Sequence, residues 1–345
     1  MMNGYQRIVA ALKGEWTDKR PIMLHNFMMA AREAGLSMKT FRENPQKAAK
    51  ALINATEKYD IDGVLVDFDT ATLASAVGVR VAYPEDEPAL AIGPCLDTLE
   101  QVKDLAPVEL SQNSRVQIWL ETTRIVKEYF GSEKFIRGNC DQAPFSLASM
   151  MRSPANWMMD LLGESTDVFK LLDFCSDICI QFINLMAKAG ADMISNGDSP
   201  AGPEMISPAM YKKFAFPYEK KLVEITHQLN LPYGLHICGD TGLILRDMLE
   251  LGTDALELDY KTDIHLIYQL CGKKNTFFGN IDPSGIIRNG TPDQVEEKVV
   301  ELLGIYKDSP GFVLNAGCAI PADAPSENIK RLITITRNWV ISDNS

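Results

Sequence analysis

His236 and Cys238 stand two positions apart in the segment LPYGLHICGDTG. In a β-strand, side chains two apart point to the same face. An imidazole and a thiolate on one face are two of the donors that zinc takes, usually in a tetrahedral set of four. Cys318, in NAGCAIP, offers a third donor 80 residues further on, and Asp259, closing DALELD, a possible fourth. A substrate thiol could take that last position instead. The competing explanation is that the pair is incidental, because free cysteine is among the most buried residue types and a strand histidine needs only a hydrogen-bond partner. Cys95, Cys140, Cys175, Cys179 and Cys271 read as structural, with Cys175 and Cys179 four apart on a helical pattern that packs into a core.

Elements must bring such distant donors together. Short apolar runs alternate with long amphipathic segments along the chain. The strand candidates are RPIML (20–24), DGVLVDF (62–68), KFIRGN (134–139), ADMISNGD (191–198), YGLHICG (233–239), DALELDY (254–260), TFFGNID (276–282) and FVLNAG (312–317). Between them lie helix signals. Ser207 precedes Pro208 as N-cap and first helical residue, Pro45 opens a helix, and Thr291, Pro292 and Gln294 form a capping-box pattern. Strands alternating with helices imply a parallel sheet, and eight such units predict a single (β/α)8 barrel domain over residues 1–345. An open doubly wound sheet is the rival, but its G-x-G-x-x-G turn after the first strand is absent. In a barrel the active site lies at the C-terminal strand ends. Asp67, Asp69, Asn139, Asp198, His236, Cys238, Asp259, Asp282 and Cys318 all fall at or just past such an end.

Bulk properties narrow the partners. The formal net charge of -12 opposes binding to phosphate backbones, so no nucleic acid is expected. No basic run suited to anionic membranes is present, and the most apolar stretches are far shorter than the ~20 residues of a spanning helix. The start MMNGYQRIVAALKGEW lacks a signal-peptide core and reads as a cytoplasmic N-terminus. Seven cysteines in such a chain read as reduced thiols or ligands rather than disulfides.

LHICGDTG, FFGNIDPSGIIRNGTPDQVEEKV and LNAGCAIPADAPSENIKRLI resemble the uroporphyrinogen decarboxylase superfamily. They are most similar to its methylcobalamin:coenzyme M methyltransferase branch and related corrinoid-dependent methyltransferases. The resemblance extends through RIVAALKGEWTDKRPI, QAPFSLASMM and ISPAMYKKFAFPYEKKL, and so over nearly the whole chain. It implies a (β/α)8 fold.

The two branches imply different chemistry. In the decarboxylases two arginines, an Asp, a Tyr and a His serve a metal-free site for a carboxylate-rich tetrapyrrole. Arg32 and Asp69 match the first arginine and the Asp, whereas Leu36, Met150 and Cys318 stand at the second arginine, the Tyr and the His. Leucine cannot replace a bidentate carboxylate clamp. In the methyltransferases zinc sits on His-x-Cys and a distant Cys, matched by His236, Cys238 and Cys318. The resemblance therefore implies a zinc-dependent transfer of a methyl group between a corrinoid, free or on a partner protein, and a small thiol or other donor or acceptor. Tetrapyrrole decarboxylation and non-catalytic corrinoid or tetrapyrrole binding are the alternatives. Arg32 and Asp69 are then candidate catalytic residues. Asn139, Asp198 and Asp282 are candidates for the cofactor wall, either orienting ligands or merely capping helices. Self-association as a homodimer is left open.

Overall fold

A computed structural model describes residues 1–163, 165–272 and 275–341. Its strands are β1 (Gly63–Val66), β2 (Arg80–Ala82), β3 (Leu90–Gly93), β4 (Phe135–Gln142), β5 (Met193–Gly197), β6 (Tyr233–Ile237), β7 (Ala255–Leu258), β8 (Thr276–Ile281) and β9 (Phe312–Ala316). Seven of them form one parallel sheet in the order β1-β4-β5-β6-β7-β8-β9. Each of these seven lies within a run read as a strand from the sequence or overlaps it.

The eighth run, RPIML, differs. It forms no strand of its own but a single parallel bridge, Ile22 to Leu314. Pro21 has no N–H to donate, which limits the ladder, although its carbonyl accepts from Leu314 N–H at 2.9 Å. On its other side Ile22 O accepts from Asp62 N–H at 2.8 Å, and Ile22 N–H donates to Asp62 Oδ2 at 2.8 Å. The segment thus lies hydrogen-bonded between the two edge strands β1 and β9. A second departure is the antiparallel hairpin β2–β3. Its charged, proline-bearing connection hides the strand pattern.

Strand periodicity builds the interior in layers. Met23, Phe135, Met193, Ala255, Phe278 and Val313 form one buried apolar cluster, closed from below by Ile8 and Ala11 of the helix Gly4–Leu12. Two residues further along, on the same faces, come His25, Arg137, Ser195, Glu257, Asn280 and Asn315. A polar storey therefore rests on an apolar floor. Arg137 of β4 and Glu257 of β7 form an ion pair across the interior, although β5 and β6 separate their strands. That contact requires the sheet to curl.

The helix signals locate their elements. Ser207 Oγ accepts from Met210 N–H at 3.3 Å, and Thr291 makes a reciprocal capping box with Gln294 before Pro292–Ile305. Pro45 opens Pro45–Tyr59, capped by Asn44. Cys175 and Cys179 are buried in the helix Asp167–Lys188. Among the described residues no helix is long and apolar enough to cross a membrane.

Candidate metal centre

The last residues of β6 and the turn after it carry two donors. His236 and Cys238 share a face, and His236 Nε2 lies 3.0 Å from Cys238 Sγ. β9 delivers the third: Cys318 Sγ lies 3.7 Å from Cys238 Sγ. The ligand atoms of His236, Cys238 and Cys318 all lie within 4.8 Å of one another. In a tetrahedral zinc site, bond lengths of about 2.3 Å to sulfur and 2.0–2.1 Å to nitrogen put sulfurs about 3.8 Å apart and nitrogen about 3.5 Å from sulfur. Two thiols and one imidazole at the observed spacings fit such an ion and leave one position to the cavity.

Glycines make this convergence possible. Gly239 follows Cys238 at φ +84°, where an added Cβ would also lie 2.9 Å from the Glu204 carboxyl. Gly317 precedes Cys318, and a Cβ there would come within 2.8 Å of Tyr260 N. The left-handed φ at Gly239 and the close backbone approach at Gly317 are each conditions that glycine meets most readily.

Local hydrogen bonds set the donors. His236 Nδ1 lies 3.1 Å from the Glu257 carbonyl oxygen. An N–H at Nδ1 donates there and leaves the Nε2 lone pair toward the sulfurs. Cys238 N–H donates to Ser199 Oγ at 3.2 Å. The Cys318 S–H, donating to Cys238, holds that thiol down to about 3, with burial opposing and His236 assisting. Cys318 is raised by the same contact and by burial. Cys238 is thus the first of the pair to become the thiolate, the form that binds metal.

Asp259 is not brought to the donors as a fourth ligand. Its carboxylate accepts from Gly239 N–H at 2.9 Å and Lys261 N–H at 3.2 Å, pinning the turn that carries Cys238. Asp282 caps the turn Pro283–Arg288 through Ser284 and Gly285 N–H, at 2.9 and 2.8 Å, and is outside the cavity wall. Asp198 is fully buried and also outside that wall. It accepts from Ser146 N–H and Oγ–H at 2.8 and 2.5 Å, and burial pushes its carboxyl up to about 6. Arg32 is exposed and lines a neighbouring hollow with Leu36, Ser37 and Asp86 rather than the cavity beside the donors. Asn139 and Asp69 do line that cavity. Asp69 Oδ1 accepts from Ala71 N–H at 2.9 Å and Thr72 Oγ–H at 3.0 Å, so it also fixes the turn that leads into the short helix Thr72–Ala76.

The cavity holds about 410 Å³. Its apolar lining includes Phe27, Met28, Pro88 and Met150. Its floor is an ionic network that the sequence reading passed over. Glu257 pairs with Arg137, accepts from Asn315 Nδ2 at 3.1 Å, and lies 3.5 Å from His236 Nδ1 and 3.7 Å from His25 Nδ1. Burial works against its charge, but Arg137 and then His25 hold the carboxyl well below the usual range. His25 Nε2 meets Asp67 Oδ2 at 2.6 Å. Burial opposes the imidazolium, yet Asp67 and Glu257 raise His25 to about 9. The available signal was a charge at an inward position of an apolar strand: Arg137 in KFIRGN and Glu257 in DALELD.

The family model for uroporphyrinogen decarboxylase (URO-D) matches residues 3–339. A methylcobamide:CoM methyltransferase, MtbA, of Methanosarcina acetivorans is 29% identical over 339 residues, covering 97% of each chain. A uroporphyrinogen decarboxylase of Prochlorococcus marinus is 27% identical over 359 residues, covering 98% of each. Among solved structures, a methyltransferase from Methanosarcina mazei superimposes with a TM-score of 0.88 at 26% identity, covering 97% of this chain and 98% of that one.

Proposed function

The chain belongs to the uroporphyrinogen decarboxylase family, and on that premise we propose that it is a zinc-dependent methyltransferase. It moves a methyl group between a corrinoid, free or carried by a partner protein, and a small thiol or comparable acceptor or donor. One observation carries this most: the imidazole of His236 and the thiols of Cys238 and Cys318 converge at the wall of one cavity. The likeness over almost the full length to methylcobamide:CoM methyltransferases supports it. The proposed fold is one closed (β/α)8 barrel over residues 1–345, with the segment around Ile22 filling the eighth strand position.

Zinc held by these three residues would act as a Lewis acid that lowers the pKa of an incoming thiol. The chain's own groups do the rest. Glu257 keeps the His236 ring in one orientation through its carbonyl and raises the basicity of the imidazole through its carboxylate. Asp259 and Ser199 fix the turn that presents Cys238. Phe27, Met28, Pro88 and Met150 supply apolar surface to the same cavity, where a thiolate is less solvated and more nucleophilic. The residues thus position a sulfur nucleophile in line with a methyl group brought to the mouth. Decarboxylation is less well served, because Arg32 lies outside this cavity and Leu36 offers no second cation.

The test is single-turnover demethylation. Zinc-loaded protein, methylcobalamin and a small thiol are mixed, and the cobalamin absorbance is followed. Transfer is expected to exceed the protein-free rate by on the order of a hundredfold or more, from positioning alone. A rate equal to the protein-free control, across uncharged, cationic and anionic thiols, overturns the proposal.

A further inference from the structure

Of the seven cysteines, Cys238 and Cys318 alone line the cavity. Cys140, Cys175, Cys179 and Cys271 are fully buried, and Cys95 lies outside the cavity lining. The sulfurs of the cavity pair are 3.7 Å apart, against about 2.0 Å in a disulfide. The backbone on both sides of the pair is held in place. Cys238 N–H donates to Ser199 Oγ at 3.2 Å, and Gly239 N–H to Asp259 Oδ2 at 2.9 Å. Gly317 N–H donates to the Ile281 carbonyl at 2.9 Å, and Ile320 N–H to the His25 carbonyl at 2.7 Å. Two thiols presented from two fixed turns meet at a high effective concentration. Rotation of the side chains about Cα–Cβ, rather than movement of a strand, is what the remaining gap asks for. A small oxidant that enters the cavity therefore reaches a sulfur whose neighbour is ready to resolve it, the arrangement that favours a reversible disulfide over irreversible oxidation.

We propose that Cys238 and Cys318 are also a reversible redox pair: a hydroperoxide joins them in a disulfide, and the protein gives up its zinc until a dithiol reduces the bond. The disulfide rests on the geometry of the two sulfurs; the loss of zinc rests on the metal reading given above. In the first step one sulfur gives an electron pair to a peroxide oxygen. An S–O bond forms, the O–O bond breaks, and the hydroxide that leaves takes up a proton as water. In the second step the other sulfur attacks the sulfenic acid. The S–S bond forms, the S–O bond breaks, and hydroxide again leaves as water. Both protons come from the thiols, or from solvent where zinc has displaced them. Two thiols and one hydrogen peroxide thus give one disulfide and two waters. Zinc binds thiolate rather than disulfide sulfur, so the ion is left with His236 as its one protein donor. A disulfide that borders a cavity is also of the exposed, readily reduced kind, which makes the change reversible.

Zinc-loaded and zinc-free protein are each treated with stoichiometric hydrogen peroxide. A coloured chelator follows zinc release, the remaining thiols are alkylated after unfolding, and the peptides are mapped by mass spectrometry. The peptides of Cys238 and Cys318 are expected as one cross-linked species, with the other cysteines alkylated. Loss of about one zinc per chain should accompany the cross-link in the loaded protein, and dithiothreitol with added zinc should reverse both. Cys318→Ser should abolish the cross-link and leave a sulfenic acid on Cys238 that dimedone traps, whereas Cys95→Ser should cross-link as the wild type does. Wild-type Cys238 and Cys318 recovered unlinked, as free thiols or as sulfinic acids, overturn the proposal, as does a cross-link to any other cysteine. The two readings fail separately. Zinc bound and then released by peroxide without a cross-link overturns the redox pair and leaves the metal centre standing. A reversible cross-link in a protein that takes up no zinc overturns the metal centre and supports the pair.

Discussion

Cys238→Ala is expected to strip the protein of zinc, whereas Cys175→Ala leaves the content near one per chain. The two cysteines differ in setting rather than chemistry. Cys175 is fully buried in the helix Asp167–Lys188, its sulfur 3.7 Å from Met151 Sδ, and burial raises its thiol well above the usual range. A thiol held protonated in a core is a poor ligand. Cys238 is partly open to the cavity, with its thiol held down to about 3 by Cys318, against burial and with His236 assisting. Removing it leaves one sulfur and one nitrogen. Since structural zinc sites bind with apparent free energies of about 10–16 kcal/mol from four ligands, loss of one thiolate should weaken affinity by at least about a hundredfold. Elemental analysis after dialysis against a weak chelator reads this directly. Equal zinc in the two variants would mean that the donors are misassigned.

Glu257→Gln is expected to cost roughly 3–5 kcal/mol of stability, the range for removing one partner of a buried ion pair. The side chains of Arg137 and Glu257 are only 4% and 2% exposed. Glutamine keeps the volume and can still accept from Asn315, but the nearly buried guanidinium loses its counter-charge. Urea unfolding at neutral pH measures the loss. The same variant changes the pH profile. In the wild type His25 is raised to about 9, burial opposing and Asp67 and Glu257 prevailing. A raised histidine contributes stability that is fully present below its unfolded value of about 6.5 and is lost as pH rises through its folded value. The wild type should therefore lose that increment between about 6.5 and 9. With one of its two carboxylates gone, the variant should lose less, over a narrower window. Identical slopes in the two proteins would mean that Glu257 does not reach His25.

The strands were legible because apolar runs of strand length, bounded by Gly, Pro and polar residues, survive in any context. The segment around Ile22 shows the limit, since apolar content cannot report that Pro21 denies the ladder a donor. His236 and Cys238 were legible from a spacing of two. Cys318 needed either the family resemblance or the fold, because nothing local ties it to a site 80 residues away. Asp198, Asp259 and Asp282 were placed at strand ends correctly, yet a carboxylate there can cap a turn as readily as it can face a cavity. The hydrogen bonds to Ser146, Gly239 and Ser284 decide this, and sequence spacing cannot. Arg137 and Glu257 were the opposite case. Their charges interrupt apolar runs at inward strand positions, but a lone charge there does not say which partner neutralises it.

Zinc K-edge X-ray absorption of the loaded protein, with and without a small thiol, tests the central claim most directly. One nitrogen at about 2.0–2.1 Å and two sulfurs at about 2.3 Å are expected from His236, Cys238 and Cys318, with a light atom in the remaining position. Adding a small thiol should raise the sulfur count from two to three. A shell of nitrogen and oxygen alone, or a sulfur count that does not change when the thiol is present, would contradict the account.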